Sequence, residues 1–155
     1  MYKPLYPHLF EPLTVKNITF KNRIFSAPNM INQMVRGMPT QYFIGFLEHK
    51  ARGGACQVTL GENPVDERGA HTKKLDMSSE MLPLLAEIAQ AIKENGAVAS
   101  AELTHGGTEA NPKYNTKPII GPVGLTREDG VVVQEMDEEM MNEVADSFAE
   151  QALLF

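Results

Sequence analysis

The chain has one cysteine and no tryptophan among its 155 residues. A single thiol, Cys56, excludes an internal disulfide and any zinc or iron–sulfur cage built by this segment alone. Cys56 lies in the apolar run Ala55-Cys56-Gln57-Val58-Thr59-Leu60, the setting of a buried structural thiol rather than a reactive one. Positive charge is also scarce: 14 Lys and Arg stand against 20 Asp and Glu, a net charge of −6. No basic stripe with aromatics offers itself to nucleic acid. No stretch approaches the roughly 20 apolar residues of a membrane span. The opening MYKPLYPHLFEPL carries prolines and a glutamate where a secretory signal needs an apolar core. The expectation is a soluble protein of a reducing, cytoplasmic compartment.

What is present is ordinary in bulk and informative in order. Hydrophobic residues make up 43% and charged residues 22%, as in a globular domain, and the length suffices for one core. Leu13-Thr14-Val15 and Ile18-Thr19-Phe20, joined by Lys16-Asn17, predict a β-hairpin. Arg23 to Pro28 reads as a short strand stopped by proline. Thr40 to Arg52 carries Phe43, Phe46, Leu47 and Ala51 at helical spacing, ended by Gly53-Gly54. Gln57 to Leu60 is a second strand. A second helix has Pro83 in its first turn, a stripe of Leu85, Ile88, Ala89 and Ile92, and Asn95-Gly96 as its stop. Ala97 to Leu103 is a third strand. A long Gly/Pro/Asn-containing connection then leads to a helix from about Asp137, with Met141, Val144, Phe148 and Ala152 on one face. The acidic run Asp137-Glu138-Glu139 suits the positive end of that helix.

Short apolar strands alternating with amphipathic helices signal βαβ units on a parallel sheet. The fold expected is α/β: the first three βα units of a (β/α)8 barrel after an N-terminal hairpin, with the sheet open at apolar edges. Residues 1–155 are read as the front portion of one barrel domain. Three segments stand at the carboxyl ends of the strands, where a parallel barrel builds its active site. They are Ala27-Pro28-Asn29-Met30, Gly61-Glu62-Asn63 and Glu102-Leu103-Thr104-His105-Gly106-Gly107.

In this order the segments resemble a known family. LFEPLTVKNITFKNRIFSAPNM is similar to the opening of the Old Yellow Enzyme family of FMN-dependent NADH:flavin oxidoreductases. TLGENPVDERGA, AELTHGG, GPVGLT and the helix opened by Met136-Asp137-Glu138-Glu139 match later family segments, so the resemblance spans nearly the whole chain. The longer bacterial members, such as 2,4-dienoyl-CoA reductases and bile-acid-inducible flavin oxidoreductases, look nearest. Those add an iron–sulfur (4Fe–4S) site and an FAD or nucleotide-binding region after the barrel.

The resemblance implies FMN as cofactor and NAD(P)H as co-substrate. Flavin contacts would come from Ala27, Pro28, Asn29 and Met30, from the main chain of Glu62, and from Glu102. Met30 stands where relatives often place a Thr or Cys, and a thioether is a weak acceptor. Glu102 replaces the usual Gln, so an amide that donates and accepts becomes a carboxylate that only accepts when ionised. His105 matches a family histidine and is a candidate substrate contact, while Thr108 stands where the family has Arg. No residue of this chain is assigned as catalytic or as a metal ligand, because the family's carbonyl-anchoring pair and proton-donating Tyr follow the fourth strand. The expected reaction is NAD(P)H-driven reduction of an activated C=C bond in an enone or enoyl thioester. The remainder of a barrel is an implied partner, and open edges invite a homo-oligomer. Two alternatives stay open on the residues alone: a folding unit that binds no cofactor, and a phosphate-ligand barrel lyase.

Overall fold

The structure, a computed structural model, describes residues 5–73, 75 and 79–155. Its elements in order are β1 (Leu13–Val15), β2 (Ile18–Phe20), β3 (Phe25–Ser26), β4 (Met34–Val35), β5 (Met38–Pro39), α1 (Gln41–Arg52), β6 (Gln57–Pro64), α2 (Leu82–Glu94), β7 (Val98–Thr104), β8 (Ile120–Gly121), β9 (Leu125–Thr126), β10 (Val132–Glu135) and α3 (Glu138–Ala152). The chain divides into two compact units. One holds Met1–Gly61 and Met77–Ala101, and the other Glu62–Asp76 and Glu102–Phe155.

In the first unit, β1 and β2 form the expected hairpin in the register Leu13↔Phe20, Thr14↔Thr19, Val15↔Ile18. The Thr14 and Thr19 hydroxyls meet at 3.0 Å, which leaves Leu13, Val15, Ile18 and Phe20 sharing the other face. The following segment acts as a clasp. Lys21 Nζ donates to the terminal carbonyls of both helices, Asn95 O at 2.8 Å and Ala51 O at 3.4 Å. A cation at helix carboxyl ends satisfies orphan acceptors and favours the dipoles. Asn22 Nδ2 reaches Gly54 O at 2.7 Å.

β3 pairs parallel with β6, Phe25 opposite Gln57, and β7 lies on the far side of β6. Val98 N–H donates to Cys56 O and Val65 N–H to Thr104 O, so β6 and β7 also run parallel. Thr40 caps α1, its hydroxyl accepting from Phe43 N–H. Along α1 the buried stripe is Phe43, Ile44, Leu47 and Ala51, and along α2 it is Leu85, Ile88 and Ile92. Phe46 is only half-buried and carries Lys50 Nζ 4.3 Å above its ring, so Ile44 takes the core place expected of it. Val58 and Leu60 are buried on β6, and Cys56 is buried just before it. The alternate positions Gln57 and Thr59 join Ser100 of β7 in a polar cluster, with Thr59 Oγ1 2.8 Å from Ser100 Oγ and Gln57 Nε2 2.9 Å from it. Period-two alternation thus gives β6 one apolar and one polar face. Ile24 and Phe25 are 41% and 64% exposed at β3, the apolar edge that an unclosed sheet leaves.

In the second unit, β10 pairs parallel with β8 and antiparallel with β9, a small sheet inside what reads in sequence as an unstructured connection. Ala110, Ile119 and Val133 form its core. α3 starts at the expected place, with Asp137 Oδ1 accepting from Met140 N–H at 2.8 Å. Its half-buried stripe is Met140, Val144, Ser147, Phe148 and Gln151, whereas Met141 is 50% exposed and Ala152 is exposed. The apolar face therefore lies one residue from the expected one at its start. Among the described residues no helix is long and apolar enough to cross a membrane.

Candidate active site

Ala27, Pro28 and Asn29 follow β3 without regular structure and are exposed; Met30 is half-buried.

The other candidates belong to the second unit. Glu62 near the end of β6 does not offer a free carboxylate, because Oε2 accepts from Thr72 Oγ1 at 2.9 Å. What remains for a ligand is its main chain. Its neighbour Asn63, 3% exposed, donates from Nδ2 to Glu102 O at 2.8 Å, tying the two strand ends together. Glu102 is therefore fixed by its own backbone. Its carboxylate is half-buried, and no described residue pairs with it.

The loop after β6 is built around a charge network that the sequence reading passed over. Asp66 holds Arg68 through both oxygens, at 2.8 Å to Nε and 2.6 Å to Nη2, and also accepts from Arg68 N–H at 2.6 Å. Arg68 Nη1 reaches Glu143 of α3 at 2.9 Å. The two inner side chains are buried, at 10% exposure for Arg68 and 9% for Asp66, while Glu143 is 54% exposed. Burial pushes the Asp66 carboxyl up, but the Arg68 hydrogen bonds and charge outweigh it and hold the group below the usual carboxylate range. The Asp66 hydrogen bond likewise raises the Arg68 guanidinium against the cost of burial. The signal in sequence is Asp-x-Arg-Gly directly after an apolar strand, an Asx-turn pattern.

The same loop is sewn to the segment after β7. Gly106 N–H donates to Gly69 O at 2.7 Å and Asn111 N–H to Ala70 O at 2.9 Å. Asn115 bonds Ala70 at both its N–H and C=O, each at 2.8 Å. His105 is wedged into this joint: a methyl built on Gly69 would stand 2.4 Å from His105 Cδ2. Nδ1 accepts from Gly107 N–H at 3.1 Å, while Nε2 is shut from solvent with no partner among the described residues. Burial, first, and the Arg68 charge lower the His105 pKa, and Asp66 acts the other way. His105 thus packs between loops rather than facing outward. His8, His49 and His71 are exposed, and no described group of His, Cys, Asp or Glu could hold a metal ion.

Glu62 and Glu102 thus stand near the carboxyl ends of neighbouring parallel strands of an unclosed α/β sheet. The chain matches the model of the NADH:flavin oxidoreductase / NADH oxidase family over residues 8–154 and belongs to that family. It is 33% identical over 140 residues to the 4,4'-dithiodibutanoate disulfide reductase of Rhodococcus erythropolis, covering 84% of this chain and 34% of that one. It is 30% identical over 118 residues to a probable N-methylproline demethylase of Rhizobium meliloti, covering 74% of this chain and 17% of the relative. Among solved structures, 2-naphthoyl-CoA reductase in complex with 2-naphthoyl-CoA superposes with a TM-score of 0.86 at 21% identity, over 97% of this chain and 26% of that one. The chain thus spans about a third or less of these proteins, and at that identity the last comparison speaks for the fold alone. The chain's α/β fold with an unclosed parallel sheet agrees with the first βα units of a barrel expected from the sequence.

Proposed function

We propose that this chain supplies part of the FMN bed of an NAD(P)H-linked oxidoreductase. The observation that carries the reading is Glu102: its backbone is pinned by Asn63, its carboxylate has no partner among the described residues, and it stands near the carboxyl end of β7. An acceptor held there suits the one N–H of a flavin's pyrimidine edge, and the main chain of Glu62 in the same unit can add a second contact. When bound, FMN would relay two electrons between nicotinamide and substrate. The protein's part here is to orient the ring and to hold the strand ends still around it. The family match removes the lyase alternative.

The substrate favoured is an activated alkene, an enone or enoyl thioester. A second reading reverses the flow, with an N-methyl amine giving up a hydride and leaving an iminium that water hydrolyses. It is supported by the similarity to the probable N-methylproline demethylase of Rhizobium meliloti and by the carboxylate of Glu102, whose oxygens also suit a cationic amine. Titration of the chain with FMN, followed by flavin fluorescence and the visible band, tests the common part. Saturable quenching that survives or strengthens in Glu102→Gln supports it. No spectral change for either form at about millimolar FMN, a Kd worth only about 4 kcal/mol, would leave a folding unit that binds no cofactor. Anaerobic turnover of 2-cyclohexenone against sarcosine by the complete enzyme separates the two substrate classes.

A further inference from the structure

We infer that His105 is a positioning residue: as a neutral ring protonated on Nε2, it fixes the Gly106–Gly107 turn after β7, and protonation of the ring releases that turn. Three observations meet here. Nδ1 accepts from Gly107 N–H, and only an unprotonated nitrogen can do so. The Cδ2–Nε2 edge lies against Gly69, with Cδ2, Cγ and Nε2 all within 2.7 Å of where a Cβ would be, so the ring fills the space that the missing side chain leaves. Nε2 is buried without an acceptor, so the charge of a doubly protonated ring would find no hydrogen-bond partner at that edge either. A cationic His105 would point Nδ1–H at Gly107 N–H, two donors face to face, and would bury a charge beside Arg68.

The charged and titratable groups around the ring do not rescue the cation. Asp66 favours it, but both Asp66 oxygens are engaged by Arg68. Arg68 opposes it, and Glu143 of α3 is spent on Arg68. His71 is the remaining titratable neighbour of the turn, with its Cδ2 3.0 Å from a Cβ built on Gly106. Because Gly106 N–H bonds Gly69 O, movement of the turn reaches the loop after β6 as well. The turn also begins four residues after Glu102, so under the FMN reading acid would loosen the cofactor edge. That clause rests on the reading above, whereas the geometry at His105 does not.

The test is nitrogen-15 NMR of the chain without cofactor, followed from pH 8 to pH 5. The expected result is an Nε2–H tautomer for His105, a ring midpoint below that of an ordinary histidine, and Gly106, Gly107 and Gly69 amides that shift with that midpoint. Exchange of the Gly107 amide with solvent should rise about tenfold across it, the scale of one lost hydrogen bond. His105→Asn keeps an acceptor two residues before Gly107 and should hold the turn at every pH. His105→Phe fills the space without an acceptor and should lose protection throughout. If the Phe form does not fold, the Asn form decides. His71→Gln should leave the midpoint in place. An Nδ1–H tautomer, glycine amides that ignore the ring's titration, or an Asn variant that keeps the pH dependence would overturn the inference. FMN titration of wild type and His105→Asn at pH 5.5 and 7.5 is read separately: absence of binding by both sinks the flavin reading and leaves the NMR result standing.

Discussion

Removing Arg68 should be among the most damaging single changes in this chain, and the structure says by how much. In Arg68→Met the aliphatic volume is kept while the guanidinium is lost. Asp66, 9% exposed, is left as a buried carboxylate whose remaining donor among the described residues is the backbone N–H of residue 68. Breaking a well-buried ion pair from one side costs about 3–5 kcal/mol. The surviving N–H bond recovers about 1 kcal/mol of that. The Glu143 link, with its carboxylate 54% exposed, contributes below about 1 kcal/mol. The expected loss is about 2–4 kcal/mol at pH 7, or a shift of about 1–2 M in the urea midpoint for a protein of this size. Asp66→Asn/Arg68→Met should recover most of it, because Asn still accepts in the turn and buries no charge. The pH dependence carries a sign. In the wild type the Asp66 pKa is depressed, so its stabilisation is present above the unfolded value near 3.9 and fades as pH falls through the folded one. In Arg68→Met burial acts without its counterweight and raises that pKa. The gap between the two proteins should therefore be widest at neutral pH and close toward pH 3. Urea titrations at pH 7 and pH 4 measure it. A loss under 0.5 kcal/mol at pH 7, or a gap that widens in acid, would refute the account of this network.

Two further outcomes follow from single contacts. Gly69→Ala places a methyl 2.4 Å from His105 Cδ2, so the ring must leave; a cost of about 1–3 kcal/mol and faster exchange at Gly106 and Gly107 by mass spectrometry are expected. Asp137→Ala removes the cap on Met140 N–H and should cost about 1 kcal/mol, read as a lower urea midpoint and recovered largely by Asp137→Ser.

The elements that local chemistry dictates were legible in the sequence. The β1–β2 hairpin, the start of α1 at its Thr40 cap, Pro83 in the first turn of α2 and the start of α3 stand where spacing and caps place them. The β4–β5 hairpin was missed, although Arg36 and Gly37 have φ of 53° and 79°, because Met and Val around Arg-Gly give no alternation over two-residue strands. The β8–β10–β9 sheet was missed for a related reason: its strands are two to four residues long, β9 and β10 pairing across the turn at Gly130 and β8 joining β10 from farther back in the chain. Of the candidate site, position at the strand ends was readable and environment was not. Nothing in the residue order says that Glu62 is occupied by Thr72, or that His105 faces Gly69. Those facts depend on two loops that meet only in the fold.

Where the family motif has Arg, this chain has Thr108, and its fold shows what that residue does. A methyl built on Gly121 would come within 2.5 Å of Thr108 Cγ2 and 3.1 Å of Val133 Cγ1. The Thr108 methyl therefore fills the space a side chain at Gly121 would need, against β8. The guanidinium in this region comes from Arg127, whose Nη1 donates to Thr108 O at 3.1 Å and Ala110 O at 2.9 Å. Positions 108 and 121 form a matched pair of sizes, and a swap should show it. Gly121→Ala alone should cost about 1–3 kcal/mol through overpacking. Thr108→Ser alone removes one methyl and should cost about 1 kcal/mol. Together the new methyl occupies the vacated space, and Val133 has only a few tenths of an ångström left to yield. The double variant should therefore be at least about 1 kcal/mol more stable than the sum of the single costs predicts. Urea midpoints of the four proteins close the cycle. Additive costs would mean that the backbone, rather than the Thr108 methyl, absorbs the strain at Gly121.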